Sequence, residues 1–144
     1  MAGSSMTFTY DDGIDRAGAY GGIRKVLVDW TSDSATGAVT GTTDKIVGAL
    51  IKGVTDPGSV APTDNYDIVI TDEEGVDVLG SCVAAGRLAD RDTATSEERY
   101  FFVENADAAP LAMGVHPVVC DKLTIAVTNA GNSKTGQLIL YYRS

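Results

Sequence analysis

The stretch that most constrains this fold is the C-terminal one, Lys122 to Arg143, reading KLTIAVTNAGNSKTGQLILYYR. Leu123, Ile125 and Val127 alternate with Thr124, Ala126 and Thr128, the period-2 pattern of a strand with one buried face. Gln137 to Tyr142 is apolar or amphipathic on both parities, which predicts a strand covered on both faces and lying inside a sheet. Between them, Asn129 to Gly136 carries the Asn and Gly residues that tolerate positive φ. The pair is therefore expected to form a β-hairpin with a loop of several residues. A chain that ends this way is expected to be all-β.

Upstream, the same alternation recurs between turn signals. Ile23 to Thr31 puts Val26, Val28 and Trp30 on one face and Lys25, Asp29 and Thr31 on the other, so the lone tryptophan is expected to anchor the core. Ala38 to Thr43 reads as a short strand. In Lys45 to Val54, Val47, Leu50, Ile51 and Val54 also fit helical spacing. Gly48 and Gly53 would each cost a helix about 1 kcal/mol relative to alanine, so a doubly covered strand is expected. Tyr66 to Thr71 is a clear strand, Asp72 to Gly75 a turn, and Val76 to Leu79 its returning partner. Ser81 to Ala85 fits a short helix, and Leu88 to Ser96, with Asp90-Arg91-Asp92, reads as a long polar loop. Tyr100 to Val103 is an aromatic-rich strand, Ala106 to Gly114 a loop around Pro110, and Val115 to Cys120 an edge strand interrupted by Pro117.

Residues 1–22 are polar and glycine-rich, with Thr7 to Tyr10 as a short strand candidate. They read as a flexible N-terminal arm whose removal should leave a folded domain. Residues 23–144 then form a single-domain β-sandwich or barrel of about seven to nine short strands with long loops. The 144 residues suit one domain, and the 16 glycines suit many turns.

A formal charge of −9 argues against nucleic acid and anionic membranes as partners. The two cysteines, Cys82 and Cys120, are far apart, lack Cys-x-x-Cys spacing and share the chain with one histidine, so no zinc site is expected. They could pair only in an oxidising compartment. Met-Ala-Gly-Ser-Ser-Met at the start lacks the charged and apolar regions of a secretory signal. Cytoplasmic synthesis and two free, mostly buried thiols are expected, and the apolar segments are too short to span a bilayer as helices.

Candidate chemistry is sparse. His116 sits between Val115 and Pro117, and Cys120 on the same strand would lie about 13 Å away by the strand rise, too far for a Cys–His pair. Glu73, Glu74, Glu97 and Glu98 could supply paired carboxylates, but each lies in a turn or beside a strand end. Asp64 with Asp67, or Asp90 with Asp92, could offer oxygens to calcium, yet neither run has the alternating Asp loop of a dedicated site. Their expected role is to form turns. The residues thus predict a protein that is not an enzyme, with no catalytic, metal or cofactor-binding residues and no cofactor.

Trp30-Thr-Ser-Asp33, the Gly37 to Gly41 stretch, the Pro57 to Asn65 connection, Tyr66 to Leu79 and the terminal Tyr141-Tyr-Arg143 resemble the small virion structural proteins of tailed bacteriophages. The resemblance covers about two thirds of the chain and carries over no functional residue. It implies a capsid decoration (cement) protein that stabilises the assembled head, with a tail- or neck-associated protein as the alternative. It also implies the major capsid protein or tail proteins as partners, a homo-oligomer such as a trimer, and residence in the virion after synthesis in the host cytoplasm. A rival of another class is a carbohydrate- or receptor-binding β-sandwich in which Tyr10, Tyr20 and Tyr100 offer stacking faces.

Overall fold

The structure is a computed structural model that describes residues 3–11, 22–79, 88, 91–101 and 116–144. Among these residues are seven strands and no helix: β1 (Ser5–Asp11), β2 (Ile23–Thr31), β3 (Val39–Pro57), β4 (Asp67–Thr71), β5 (Glu97–Tyr100), β6 (Val118–Thr128) and β7 (Thr135–Arg143). Every pairing is antiparallel, and the strands join in the order β1-β2-β7-β3-β6-β4, with β5 beside β3. The chain is all-β and forms one small domain, as its strand patterning predicts.

The alternating residues face the core as expected. Val26, Val28 and Trp30 of β2, Leu123, Ile125 and Val127 of β6, and Leu138, Leu140 and Tyr142 of β7 are all buried in one cluster. Trp30 sits with its ring centroid 5.6 Å from that of Tyr66, just ahead of β4. Because β2 and β4 are far apart along the sheet path, this contact means that the sheet folds over on itself and encloses the core between its two halves.

The fold turns on β3. Two segments that read as separate strands are one strand of 19 residues. Its first part, Val39 to Ala49, pairs with β6, and its second part, Ala49 to Pro57, pairs with β7. Irregularities between Thr42 and Lys45 and between Leu50 and Lys52 bracket the changeover, as bulges do where a strand passes from one layer to the other. Gly48 between them has φ +143°, and a Cβ there would overlap the Arg143 carbonyl. At the first irregularity, the buried Thr43 hydroxyl accepts the Leu123 amide at 3.0 Å and donates to the Asp44 carbonyl at 2.7 Å. The side chain thus replaces backbone partners lost at the bulge.

The expected C-terminal hairpin does not form. β6 and β7 are not paired, because β3 lies between them. The connecting loop crosses between layers and carries Asn129, Gly131 and Ser133 at positive φ. Its ends are tied to other turns by Ala130 N–H to the Gly37 carbonyl, 3.2 Å, and Ser32 N–H to the Lys134 carbonyl, 2.8 Å. A hairpin and an arch of this length carry the same local signals; only the core decides, and β6 and β7 each present an apolar face to it. β7 is inside the sheet as expected, but Gln137, Ile139 and Tyr141 on its second face are half-buried rather than covered.

Other differences are smaller. Val118 to Cys120 and Lys122 to Thr128 form one strand, β6, rather than two. Val76 to Leu79 returns by a single bridge, Thr71 to Asp77, with Val78 N–H on the Ile70 carbonyl. The fifth strand is Glu97–Tyr100; of the strand expected over Tyr100 to Val103, Tyr100 ends β5, Phe101 is buried just after it, and Phe102 and Val103 lie outside the described residues. Leu88 and Arg91, in the stretch read as a polar loop, are buried, because their backbones pair along the outer edge of β4 and the residues before it. Within the stretch read as an arm, Ser5–Asp11 is paired with β2 over seven residues. The rest of that arm at residues 12–21, the Ser81 to Ala85 helix, Cys82, Asp90 and the Ala106 to Gly114 loop lie outside the described residues.

Candidate functional site

Alternation puts half of each strand on the outer face of the half-sheet β1-β2-β7-β3-β5, and the register aligns those residues in rows. One row is Asp11, Lys25, Tyr141, Lys52 and Tyr100; the next is Thr9, Leu27, Ile139, Val54 and Glu98; a third is Thr7, Asp29, Gln137 and Asp56. The middle row is largely apolar, and Leu27, Ile139 and Val54 are half-buried. No other strand among the described residues covers this row, and an apolar patch of this kind marks a surface that can receive another molecule.

The Lys52 ammonium stands 4.8 Å from the Tyr141 ring centroid and 5.5 Å from that of Tyr100, within cation–π range. Glu98 lies 3.4 Å from the same ammonium. Solvent screens this ion pair, so its main effect is to hold Lys52 and both rings in one arrangement. At the other end is an open cavity of about 510 Å³, bordered by Thr7, Asp29, Thr31, Asp56, Thr135 and Gln137. Gln137 donates to Asp29 at 2.8 Å, and Ser96 donates to Asp56 at 2.8 Å. The face therefore combines aromatic planes, an apolar centre and fixed hydrogen-bonding groups.

The residues singled out as candidates for chemistry are scattered. His116 Nδ1 is 2.7 Å from the Phe101 carbonyl, and Cys120 is a free thiol that is exposed rather than buried, because it falls on the outward parity of β6. Glu73 accepts the Lys122 amide at 3.2 Å; Glu97 accepts the Asp92 amide at 2.6 Å and faces Arg91 at 3.6 Å. Asp92 receives the Ala94 and Thr95 amides, Asp64 the Thr93 amide, and Asp67 the Asn129 amide group. Turn and loop bonding of this kind is the role expected for these aspartates. Asp33 does the same: the Ala35 and Thr36 amides hold its carboxyl below the usual carboxylate range. Among the described residues no three His, Cys, Asp or Glu side chains are grouped to hold a metal.

The tyrosines separate too. Tyr100 is 52% exposed on the outer face, whereas Tyr10 points to the other side, where its hydroxyl accepts the Asp44 amide at 2.7 Å; Tyr20 lies outside the described residues. Tyr141, Lys52 and Gln137 were missed as site residues. They lie remote in sequence from Tyr100, and only the strand register brings them into one surface.

Beneath the face, the Tyr66 hydroxyl is buried with the Thr55 hydroxyl near it, and burial pushes its pKa above the usual tyrosine value. The neutral form is the one the fold accepts, so this group leaves stability unchanged below pH about 10 and lowers it as pH rises above that. Tyr66→Phe is expected to change stability at neutral pH by less than about 1 kcal/mol, since the hydroxyl's contact with Thr55 lacks good hydrogen-bond geometry. Denaturant melts above pH 10 should show a shallower alkaline fall for the variant; an unchanged slope would count against this burial effect.

No family model matches the chain, and no curated protein matches it. Among solved structures, one of infectious bursal disease virus Gx strain is 14% identical at a TM-score of 0.30, covering 98% of this chain and 32% of that one. The crystal structure of the infectious bursal disease virus VP2 subviral particle is 13% identical at a TM-score of 0.33, covering 97% of this chain and 33% of that one. The chain spans about a third of those chains' length. Overlaps this weak place it in no family, and the functional reading rests on its own surface.

Proposed function

We propose that this is a non-enzymatic virion structural protein, a decoration or cement protein that binds the assembled head through the outer face of its sheet. The observation that carries the reading is that face: an apolar row that no strand among the described residues covers, flanked by Lys52 between two tyrosines and by a polar cavity, all on paired strands. Such a surface meets a partner already ordered, so little side-chain entropy is lost on contact. The resemblance of the Trp30 to Leu79 segment to small phage virion proteins points to the major capsid protein as that partner, and the charge of −9 suits a basic rim. Many copies acting together, as homo-oligomers at symmetric positions, make modest affinity sufficient. A tail- or neck-associated role uses the same surface.

Tyr100 and Tyr141 at one end of the face, with Asp29, Asp56 and Gln137 at the other about 13 Å away by the strand rise, also suit the ring faces and hydroxyls of an oligosaccharide, which supports glycan binding as the second reading. Cryo-electron microscopy of the protein mixed with expanded, undecorated capsids and with tails tests both. Density at regular shell positions, contacted by the outer face, supports decoration; bare shells with density on tails move the protein there. Bare particles of both kinds, with binding on a glycan array, favour the second reading. Tyr100→Ala is expected to weaken shell binding about tenfold while shifting stability by no more than about 0.5 kcal/mol, because the ring is mostly exposed. Sedimentation of the variant with shells measures the first effect and a thermal melt the second.

A further inference from the structure

A sheet that does not close has edges, and this chain treats them unequally. The outer edge of β4 is covered by the chain itself: Ile68 N–H bonds the Leu88 carbonyl, Val78 N–H the Ile70 carbonyl, and Arg91 N–H the Tyr66 carbonyl just before the strand. β5 is four residues long and reads Glu-Glu-Arg-Tyr, a short charged edge. Both are ordinary protections against pairing with another chain. β1 has neither. It is seven residues long, its register with β2 is continuous, and Ser5 to Tyr10 contains no charge, proline or bulge. Its only strand partner among the described residues is β2. β1 is also held in place, because the Met6 side chain packs where Gly41 leaves room and the Tyr10 hydroxyl accepts the Asp44 amide. A fixed strand, uncharged from Ser5 to Tyr10 and with one edge unpaired among the described residues, is a template for another strand.

We propose that β1 pairs antiparallel with β1 of a second copy, about a two-fold axis at Phe8, joining two sheets into one. The sequence of β1 is self-complementary in this register. Phe8 faces Phe8 of the partner subunit, Met6 faces Tyr10 of the partner subunit, and Thr7 faces Thr9 of the partner subunit. Thr–Thr, aromatic and sulfur–aromatic cross-strand pairs are all favourable. Residues of like parity oppose one another, so inner face meets inner face and the outer face continues across the axis. Asp11 stands opposite Ser5 of the partner subunit, so the two Asp11 carboxylates are not opposed. Among centres that keep this parity, Phe8 is the one at which all seven residues pair. The inference deepens the homo-oligomer part of the reading above by naming its contact, and it does not depend on the capsid.

Light scattering after size exclusion tests it with three full-length proteins. The native chain is expected at twice its 15.0 kDa mass. Thr7→Lys with Thr9→Lys sets lysine against lysine at both pairs and is expected to raise the dimer dissociation constant at least tenfold. Thr7→Lys with Thr9→Glu sets lysine against glutamate in this register and is expected to remain dimeric. Both positions are exposed on the outer face, and far-UV circular dichroism with a thermal melt checks that each variant folds. A monomeric native chain overturns both this contact and the homo-oligomer reading. A dimer that survives the double-lysine change, a native trimer, or a monomeric lysine–glutamate variant overturns the contact and leaves an oligomer built elsewhere. Shell imaging of the native chain judges the decoration role separately.

Discussion

Gly48→Ala is expected to destabilise the domain by about 3–5 kcal/mol. Two costs add. Its φ of +143° lies where a residue with a Cβ is strained by about 1–3 kcal/mol. The new methyl would also overlap the Arg143 carbonyl in the neighbouring strand, and overpacking of this kind costs about 1–3 kcal/mol more. The site has little room to relax, since the β3 changeover from β6 to β7 occurs here. A domain of this size has about 5–15 kcal/mol in total, so the variant should lose much of its denaturant midpoint and show weakened packing of β7. An unchanged midpoint would mean that β3 does not bend at Gly48.

Trp30→Ala is expected to cost about 3–5 kcal/mol by removing the largest side chain of the core and leaving a cavity. Trp30 is 2% exposed and touches both halves of the folded sheet through Tyr66. Its loss should therefore loosen the two halves together, with one cooperative transition at lower denaturant and a reduced near-ultraviolet signal from Tyr66. Trp30→Phe keeps part of the ring and should recover about half of the loss. If Trp30→Ala melts within 1 kcal/mol of the native chain, the tryptophan is not the anchor of this core.

Much of the fold is legible because a β-strand displays its environment in its own alternation. Val26, Val28 and Trp30, or Leu123, Ile125 and Val127, announce a buried face by spacing alone. Long-range pairing leaves no such trace. The Asn129 to Gly136 loop carries turn residues whether it closes a hairpin or crosses between layers, and the insertion of β3 between β6 and β7 depends on residues some 80 positions away. For the same reason the sequence pointed to Tyr100 but not to Tyr141 or Lys52. The three meet because Lys52 pairs with Tyr141 on one strand and Tyr100 on another.

By itself, then, the sequence determined the class: all-β, acidic, one domain, with the core residues of β2, β6 and β7 already marked, because burial imposes a local period. Tertiary structure alone decided that β3 is one bent strand serving both halves, that Ser5–Asp11 is a paired edge, and that a lysine, two tyrosines and a polar cavity share one face. Those outcomes depend on which strands become neighbours. That choice is made by the shared core, which rewards the whole set of apolar faces at once and leaves no mark on any one segment.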